Sequence, residues 1–327
     1  MSAEQRFVEI DALKTAGIVT VVLIHCLRTP WDPLISPLEV WLGHLTRFGV
    51  PAFLFASGFL YATNEPVSAR LTLRRLRRIL LPYLIVSLAA QLWWSLLELP
   101  TEVRNFWPDL AFGSSMGPFC YVFVIAGLVV VTPLFARLPS AARIALTVAM
   151  LAAHWYVDAA VGVDMPLYWH LRSPLLWWAY FLVGWQVRLH RLAVSNWLAH
   201  RSYWLAPVLL IAIWVLAVQS SAPGPLLGVR TAAWLNVYAI LLLVYSVASG
   251  RADTTGALRY LSDATYAIFL LHVFFVSGVG LLVPHRPLVS EFAPIALRWL
   301  AGFAGPIILL TAARASLGER SRDVIGG

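Results

Sequence analysis

Long apolar stretches separated by short polar breaks run through the whole of this chain. Windows of about twenty residues mark ten expected membrane spans, beginning near residues 11, 43, 79, 118, 144, 173, 204, 230, 263 and 293. The expected fold is therefore all-α: a polytopic integral membrane helical bundle with about ten transmembrane helices, organised as a single transmembrane domain over residues 1–327. The polar breaks are short. One covers residues 99–117, with Pro100, Trp107, Pro108 and a Gly113-Ser114-Ser115 turn, and another holds Asp164, Pro166, Tyr168, Trp169, His170 and Arg172. Neither is long enough for a separate soluble domain. One break has a pattern of its own. Across Arg70 to Tyr83, Arg70, Arg74, Arg77 and Arg78 fall within an arc of about 100° on a helical wheel, opposite Leu73, Leu76, Ile79 and Leu80. The pattern predicts an amphipathic helix lying in the inner membrane interface.

Composition agrees with this reading, since the chain is 60% hydrophobic and only 12% charged, with a mean hydropathy of +0.76. With a cytoplasmic N-terminus, 17 of the 24 Lys and Arg residues fall on the inner side, while the 16 acidic residues divide evenly. The positive-inside rule then puts both termini in the cytoplasm. The formal charge of +8 reflects orientation in a membrane of anionic lipids, not nucleic-acid binding. Glu4, Glu9 and Asp11 precede an apolar run that has no small-residue cleavage site, so the first helix is expected to stay in place rather than serve as a signal peptide. Cys26 and Cys120 are read as two packed thiols, with a lone disulfide as the alternative. No internal repeat, phosphate-binding glycine loop or metal-spaced Cys/His cluster occurs, and no metal is expected.

Ionisable residues inside a bilayer are costly and mark functional sites. Lys14, the only lysine of the chain, precedes His25 by eleven residues. At helical pitch the two share a face and lie about 16 Å apart along the axis. Alternatively, Asp11 and Lys14 form an interfacial i, i+3 ion pair and His25 is a hydrogen-bonded packing residue. Arg47 falls inside the second span and calls for an anionic partner, either a protein carboxylate or a substrate. Pro51 and Ser57-Gly58 allow that span to bend and a neighbour to approach its backbone. Ser262 or Asp263 is expected to cap the ninth helix, which places His272 about halfway across the membrane, as a second functional histidine or as a buried one bonded to a neighbouring helix. His154 and Asp158, four apart, read as a helix-surface hydrogen bond or as a pair orienting an acceptor hydroxyl. Fifteen tryptophans, with Trp93-Trp94 and Trp177-Trp178 as doublets, suit interfacial belts.

Several of these stretches together resemble the membrane acyltransferase 3 family. The start Phe7-Val8-Glu9-Ile10-Asp11-Ala12-Leu13-Lys14 and the run into Ile24-His25 are similar to the family's opening, an acidic residue, an Arg three positions later, ten residues and a histidine. Lys14 stands where the family has Arg, which keeps the charge and gives up the two-pronged grip on phosphate or carboxylate. Arg47 through Val50-Pro51, Phe53, Phe55 and Ser57-Gly58-Phe59-Leu60 resembles the family's second-helix pattern. Arg74 with Arg77, or Arg75 with Arg78, resembles its Arg-x-x-Arg motif. Gly117 to Phe135 is similar to its aromatic segment ending in Pro-Leu, though without the usual tryptophan. Ser262 to His272 resembles its Ser-Tyr-x-Ile-Tyr-Leu-x-His helix. These matches cover the chain from about residue 7 to 275.

The resemblance implies an acyl-CoA-dependent O-acyltransferase of the bacterial inner membrane. Its donor would be acetyl-CoA or another acyl-CoA, and its acceptor a hydroxyl of a carbohydrate or glycolipid at the outer side. His25 would be the catalytic residue. Lys14, Arg74, Arg75, Arg77 and Arg78 would hold the donor, with Asp11, Arg47, Ser57 and His272 in support. The basic helix has a plainer reading as a topogenic anchor on anionic lipid. A neutral imidazole at His25 either takes the acceptor's proton or is itself transiently acylated. The rival classes are a proton-coupled transporter or flippase of a sugar or lipid-linked sugar, and a catalytically silent partner within a synthase complex.

Overall fold

The structure, a computed structural model, describes residues 6–28, 35–96, 106–157, 171–199, 204, 208, 230–249, 255–282 and 292–326. Most of the described residues are helical, with no strand among them. They form two compact units. One comprises Met1–Thr63, Pro139–His170 and Leu175–Ser262, the other Asn64–Leu138, Leu171–Pro174 and Asp263–Gly327.

The first unit is built on α1 (Val8–Ile24), α2 (Pro37–Thr46) and α3 (Gly49–Tyr61). The second expected span is thus two helices, with Arg47 and Phe48 in a turn between them rather than inside a continuous span. Pro51 explains the break, because it has no N–H to give to the carbonyl four residues back, that of Arg47, and its ring clashes with that carbonyl. α1 packs on α3 through two glycines. A Cβ on Gly49 would lie 2.8 Å from the Val21 side chain and 3.0 Å from the Gly17 carbonyl, so both backbones come close because neither residue carries a side chain.

Further along the chain are α7 (Ser140–Tyr156), α8 (Pro174–Leu189), α9 (Arg191–Ala199) and α10 (Arg230–Ser249). α8 crosses α3 at reciprocal glycine contacts. A Cβ on Gly58 would strike the Phe181 carbonyl, and one on Gly184 would strike the Phe55 carbonyl. The pairings run in opposite senses along the two helices, so α3 and α8 are antiparallel. α1 also packs on α10, and Phe59 fills the space between them, its ring 5.1 Å from that of Phe7 and 6.3 Å from that of Tyr245.

The second unit holds α4 (Ala69–Leu96), α5 (Phe106–Phe112) and α6 (Cys120–Arg137), the last led in by a 3-10 turn at Gly117–Phe119. It continues with most of α11 (Gly256–Leu282), then α12 (Phe292–Leu317) and the short α13 (Ser321–Ile325). The division between the units falls within α11, after Ser262. Phe119, fully buried, makes an edge contact with Tyr83 at 5.6 Å and a tilted one with Phe269 at 6.4 Å. Arg172 donates from Nε to the Phe112 carbonyl at 2.7 Å and from Nη2 to Ser114 Oγ at 2.9 Å, and Tyr83 donates to the Leu110 carbonyl at 2.6 Å. These bonds pin the turn where Gly113 takes a left-handed φ of 66°.

Among the described residues four stretches are long and apolar enough to cross a membrane: Ala69–Ser95, Gly117–Arg137, Gly256–Leu282 and Phe292–Ile325. Every expected start has a described helix near it except the one at 204, most of whose span lies outside the described residues. Helices such as α1, with 17 residues, reach about 26 Å, short of a full hydrocarbon crossing. The basic segment is continuous with the third span. Arg70 to Arg78 are early turns of α4 rather than a separate helix, and Leu73 on their apolar face is 68% exposed. Cys26 and Cys120 are both free thiols. Asp158, Asp164, Pro166, Tyr168, Trp169 and His170 lie outside the described residues.

Gly58→Val is expected to force α3 and α8 apart at a cost of about 1–3 kcal/mol or more. The thermal midpoint of detergent-purified protein, followed by fluorescence-detected size exclusion, should fall by several degrees, and an unchanged midpoint would count against the crossing.

Candidate functional site

The site grows from the first turn of α1. Phe7 is extended, with φ −125° and ψ 110°, and the turn that follows carries Glu9 and Asp11, where the free N–H groups of the helix end favour negative charge. Both carboxylates are withdrawn from solvent, at 2% and 6% exposure, and a buried carboxylate is costly unless donors surround it. Arg6 supplies two, Nε at 3.2 Å and Nη2 at 3.4 Å from the Asp11 oxygens. Ser262, far along the chain in α11, donates its hydroxyl proton to Asp11 Oδ1 at 2.5 Å. With that proton committed, the lone pairs of Ser262 Oγ accept from Lys14 Nζ at 3.0 Å. One hydroxyl therefore links the carboxylate and the ammonium and holds Lys14 against α11.

Ser262 does not cap its helix. α11 begins at Gly256, and the capping oxygen is Thr255 Oγ1, which accepts from the Leu258 N–H at 3.3 Å. Ser262 lies nearly two turns inside.

Glu9 is met by α9, whose Arg191 donates from Nε to Oε1 at 2.8 Å. Burial disfavours the Arg191 cation, but the Glu9 hydrogen bond and charge outweigh it, so the guanidinium titrates above its ordinary value. Arg188, in the last turn of α8, stacks its guanidinium 4.2 Å from the centroid of the Phe7 ring and 5.4 Å from that of Phe59, while Arg191 lies 4.9 Å from the same Phe7 ring.

At the other end of α1, His25 stands one residue past the last helical position, with φ −81° and ψ −5°, and it is exposed. Eleven residues of near-helical backbone set it about 16 Å along the axis from Lys14. The chain just beyond is held firmly. Ser36 and Glu39 form a capping box on α2, with the Glu39 N–H bonded to Ser36 Oγ at 3.2 Å and the Ser36 N–H to Glu39 Oε2 at 3.1 Å. The same carboxylate accepts from the Arg28 N–H at 3.0 Å and pairs with the Arg28 guanidinium at 3.7 Å, with side chains 2% and 8% exposed. Glu39 thus fixes the segment that carries His25.

The other expected residues are less concentrated. Arg47 is half-buried in the turn before α3, and Ser57 is half-buried beside the Gly58 crossing. Arg74, Arg77 and Arg78 are exposed and Arg75 is half-buried, all in the second unit. Arg77 Nη2 donates to Asp323 at 3.3 Å. His272, also in the second unit, is fully buried, and its Nδ1 lies 3.1 Å and 2.8 Å from the carbonyls of Ile268 and Phe269. Carbonyls only accept, so Nδ1 carries the proton and Nε2 the lone pair. These two Nδ1 contacts are to its own helix. His154 is buried with its ring edge-on to Tyr180 at 5.2 Å.

Four elements of the site escaped the sequence reading: Ser262 as a bridge, the Glu9–Arg191 pair, stacked Arg188, and the Arg28–Glu39 lock. For the last, the Ser36-Pro37-Leu38-Glu39 spacing of a capping box was present in the sequence. For the others nothing local connects residues about 180 to 250 positions apart.

Comparison with known proteins aligns residues 7–314 with a family described as an acyltransferase domain. No curated protein and no solved structure matches the chain.

Glu39→Ala removes both the cap and the carboxylate that Arg28 needs, at an expected cost of about 3 kcal/mol. Thermal unfolding should show it, whereas Glu39→Gln, which keeps the acceptor oxygen, should restore part of the loss.

Proposed function

The chain belongs to the acyltransferase 3 family, and on that premise we propose that this membrane protein moves an acyl group, most simply acetyl, from a cytoplasmic acyl-CoA to a hydroxyl of a carbohydrate or glycolipid. The acceptor lies at the outer side of a bacterial inner membrane, which the protein crosses several times with both termini inside.

The observation that carries the proposal is the division of labour along α1. A fixed cation, Lys14, is bonded through Ser262 near the start of the helix, and an exposed imidazole, His25, ends it. In the first unit the donor's phosphates meet Lys14 and the pantetheine arm extends along α1 to bring the thioester to His25, while in the second unit Arg74, Arg75, Arg77 and Arg78 are basic side chains of the kind that binds phosphate. Asp11 keeps Lys14 in place through the Ser262 hydroxyl. Arg47 and Ser57 line the approach, and His272 supports the fold of its helix.

At His25 the neutral imidazole accepts the proton of the acceptor hydroxyl as its oxygen attacks the thioester carbonyl carbon. The tetrahedral intermediate then breaks its C–S bond. The departing thiolate takes that proton from the imidazolium, so ester and free CoA form with the histidine regenerated. An exposed ring at a helix end suits this work, since it meets a bulky hydroxyl-bearing acceptor without unfolding the helix. The reaction requires no metal in this scheme.

Purified protein in nanodiscs is expected to transfer radiolabel from acetyl-CoA to a glycan acceptor, and failure across carbohydrate and glycolipid acceptors would sink the proposal. In the same assay His25→Ala should lower turnover by at least about 100-fold with donor binding retained. Lys14→Ala should weaken donor binding while Lys14→Arg preserves it. Near-native turnover in His25→Ala would remove the catalytic assignment.

A further inference from the structure

Arg188 is the side chain that this scheme leaves without a task. It sits in the last turn of α8, half-buried, with its guanidinium carbon over the Phe7 ring at 4.2 Å from the centroid and 5.4 Å from that of Phe59. Stacking holds a guanidinium in one plane and leaves its N–H donors pointing outward around the edge. The carboxylates of the first turn of α1 are already engaged, Glu9 by Arg191 and Asp11 by Arg6 and Ser262. The charge sharing the Phe7 ring with Arg188 is another cation, that of Arg191. Among the described residues around this end of α1 stand Arg6, Lys14, Arg188 and Arg191 against Glu9 and Asp11, an excess of positive charge. Two guanidiniums held beside one ring repel each other, Glu9 on Arg191 offsets this only in part at Arg188, and a further anion beside Arg188 relieves the remainder.

We infer that Arg188, stacked on Phe7 and Phe59 beside the Arg191–Glu9 pair, binds a phosphate group of the acyl donor. The inference rests on the acyltransferase reading and adds a specific phosphate contact in the first unit. Phe7 lies seven residues before Lys14, about 10 Å along the axis, and on the side away from His25. A phosphate at Arg188 therefore leaves the rest of the donor to extend past Lys14 toward the imidazole. Arg188 supplies the planar two-pronged grip that Lys14, in place of an arginine, does not.

The test uses full-length protein in nanodiscs of phosphatidylcholine alone, with CoA as the titrant in isothermal calorimetry. Arg188→Ala is expected to weaken CoA binding about 10- to 100-fold, while acetyl-pantetheine, which carries no phosphate, competes equally well in wild type and variant. Arg188→Lys, which keeps charge and stem but loses the fork, should fall between, and it decides the question if Arg188→Ala does not fold. Equal CoA affinity in wild type and both variants overturns the inference and leaves the acyltransferase reading standing. Absence of CoA binding in the wild type overturns that reading itself. A parallel series in nanodiscs containing phosphatidylglycerol separates the sources of phosphate. If Arg188→Ala abolishes stabilisation by that lipid and leaves CoA affinity intact, the site serves a headgroup and the inference fails.

Discussion

Two carboxylates buried at the start of one helix set the terms for the first unit. Glu9 and Asp11 both lie in the first turn of α1, and both are buried. Leaving either without donors would cost several kcal/mol, so the fold brings partners from distant positions. Arg191 comes from α9 and Ser262 from α11, while Arg6 folds back from the adjacent chain. Once these contacts form, α1 has no freedom to slide or rotate. Its position fixes Lys14 against Ser262, and its rise fixes how far His25 stands from that point.

The far end of the helix is secured differently. His25 lies one residue past the last helical position, in a final turn closed by the Cys26 N–H on the Leu23 carbonyl at 2.9 Å, after which backbone freedom would normally return. Glu39 prevents this by serving three partners at once: the N–H of Ser36, the N–H of Arg28 and the Arg28 guanidinium. The imidazole is left exposed while the chain behind it is held. In the proposed reaction, a group that meets a bulky acceptor and keeps its aim against a thioester needs this combination, because orientation supplies much of the rate in acyl transfer.

Close helix packing provides the rigid surround. Gly17 with Gly49, and Gly58 with Gly184, let backbones approach to carbonyl contact at two crossings of α3. In lipid, where apolar burial gives little net drive between helices, such contacts and interhelical hydrogen bonds hold the bundle together. Aromatic rings fill what the glycines leave open, Phe59 between Phe7 and Tyr245 in one unit and Phe119 between Tyr83 and Phe269 in the other.

The sequence by itself determined the class of protein, because runs of apolar residues long enough for a bilayer admit helices and little else. It also marked Asp11, Lys14 and His25, since charges placed in an apolar run are conspicuous and their spacing along one helix follows from pitch alone. It did not determine where the second span breaks. Pro51 announced a bend, but the position of the turn at Arg47-Phe48 depended on which carbonyl the ring excludes and on the packing of Gly49 against α1. Nor did it disclose that Ser262, Arg191 and Arg188 converge on the start of α1. Local pattern reports only neighbours within a few residues, whereas those side chains come from other helices and arrive there by packing. Only the tertiary structure decided which donors the two buried carboxylates receive, because desolvation acts on groups that meet in space, whatever their separation along the chain.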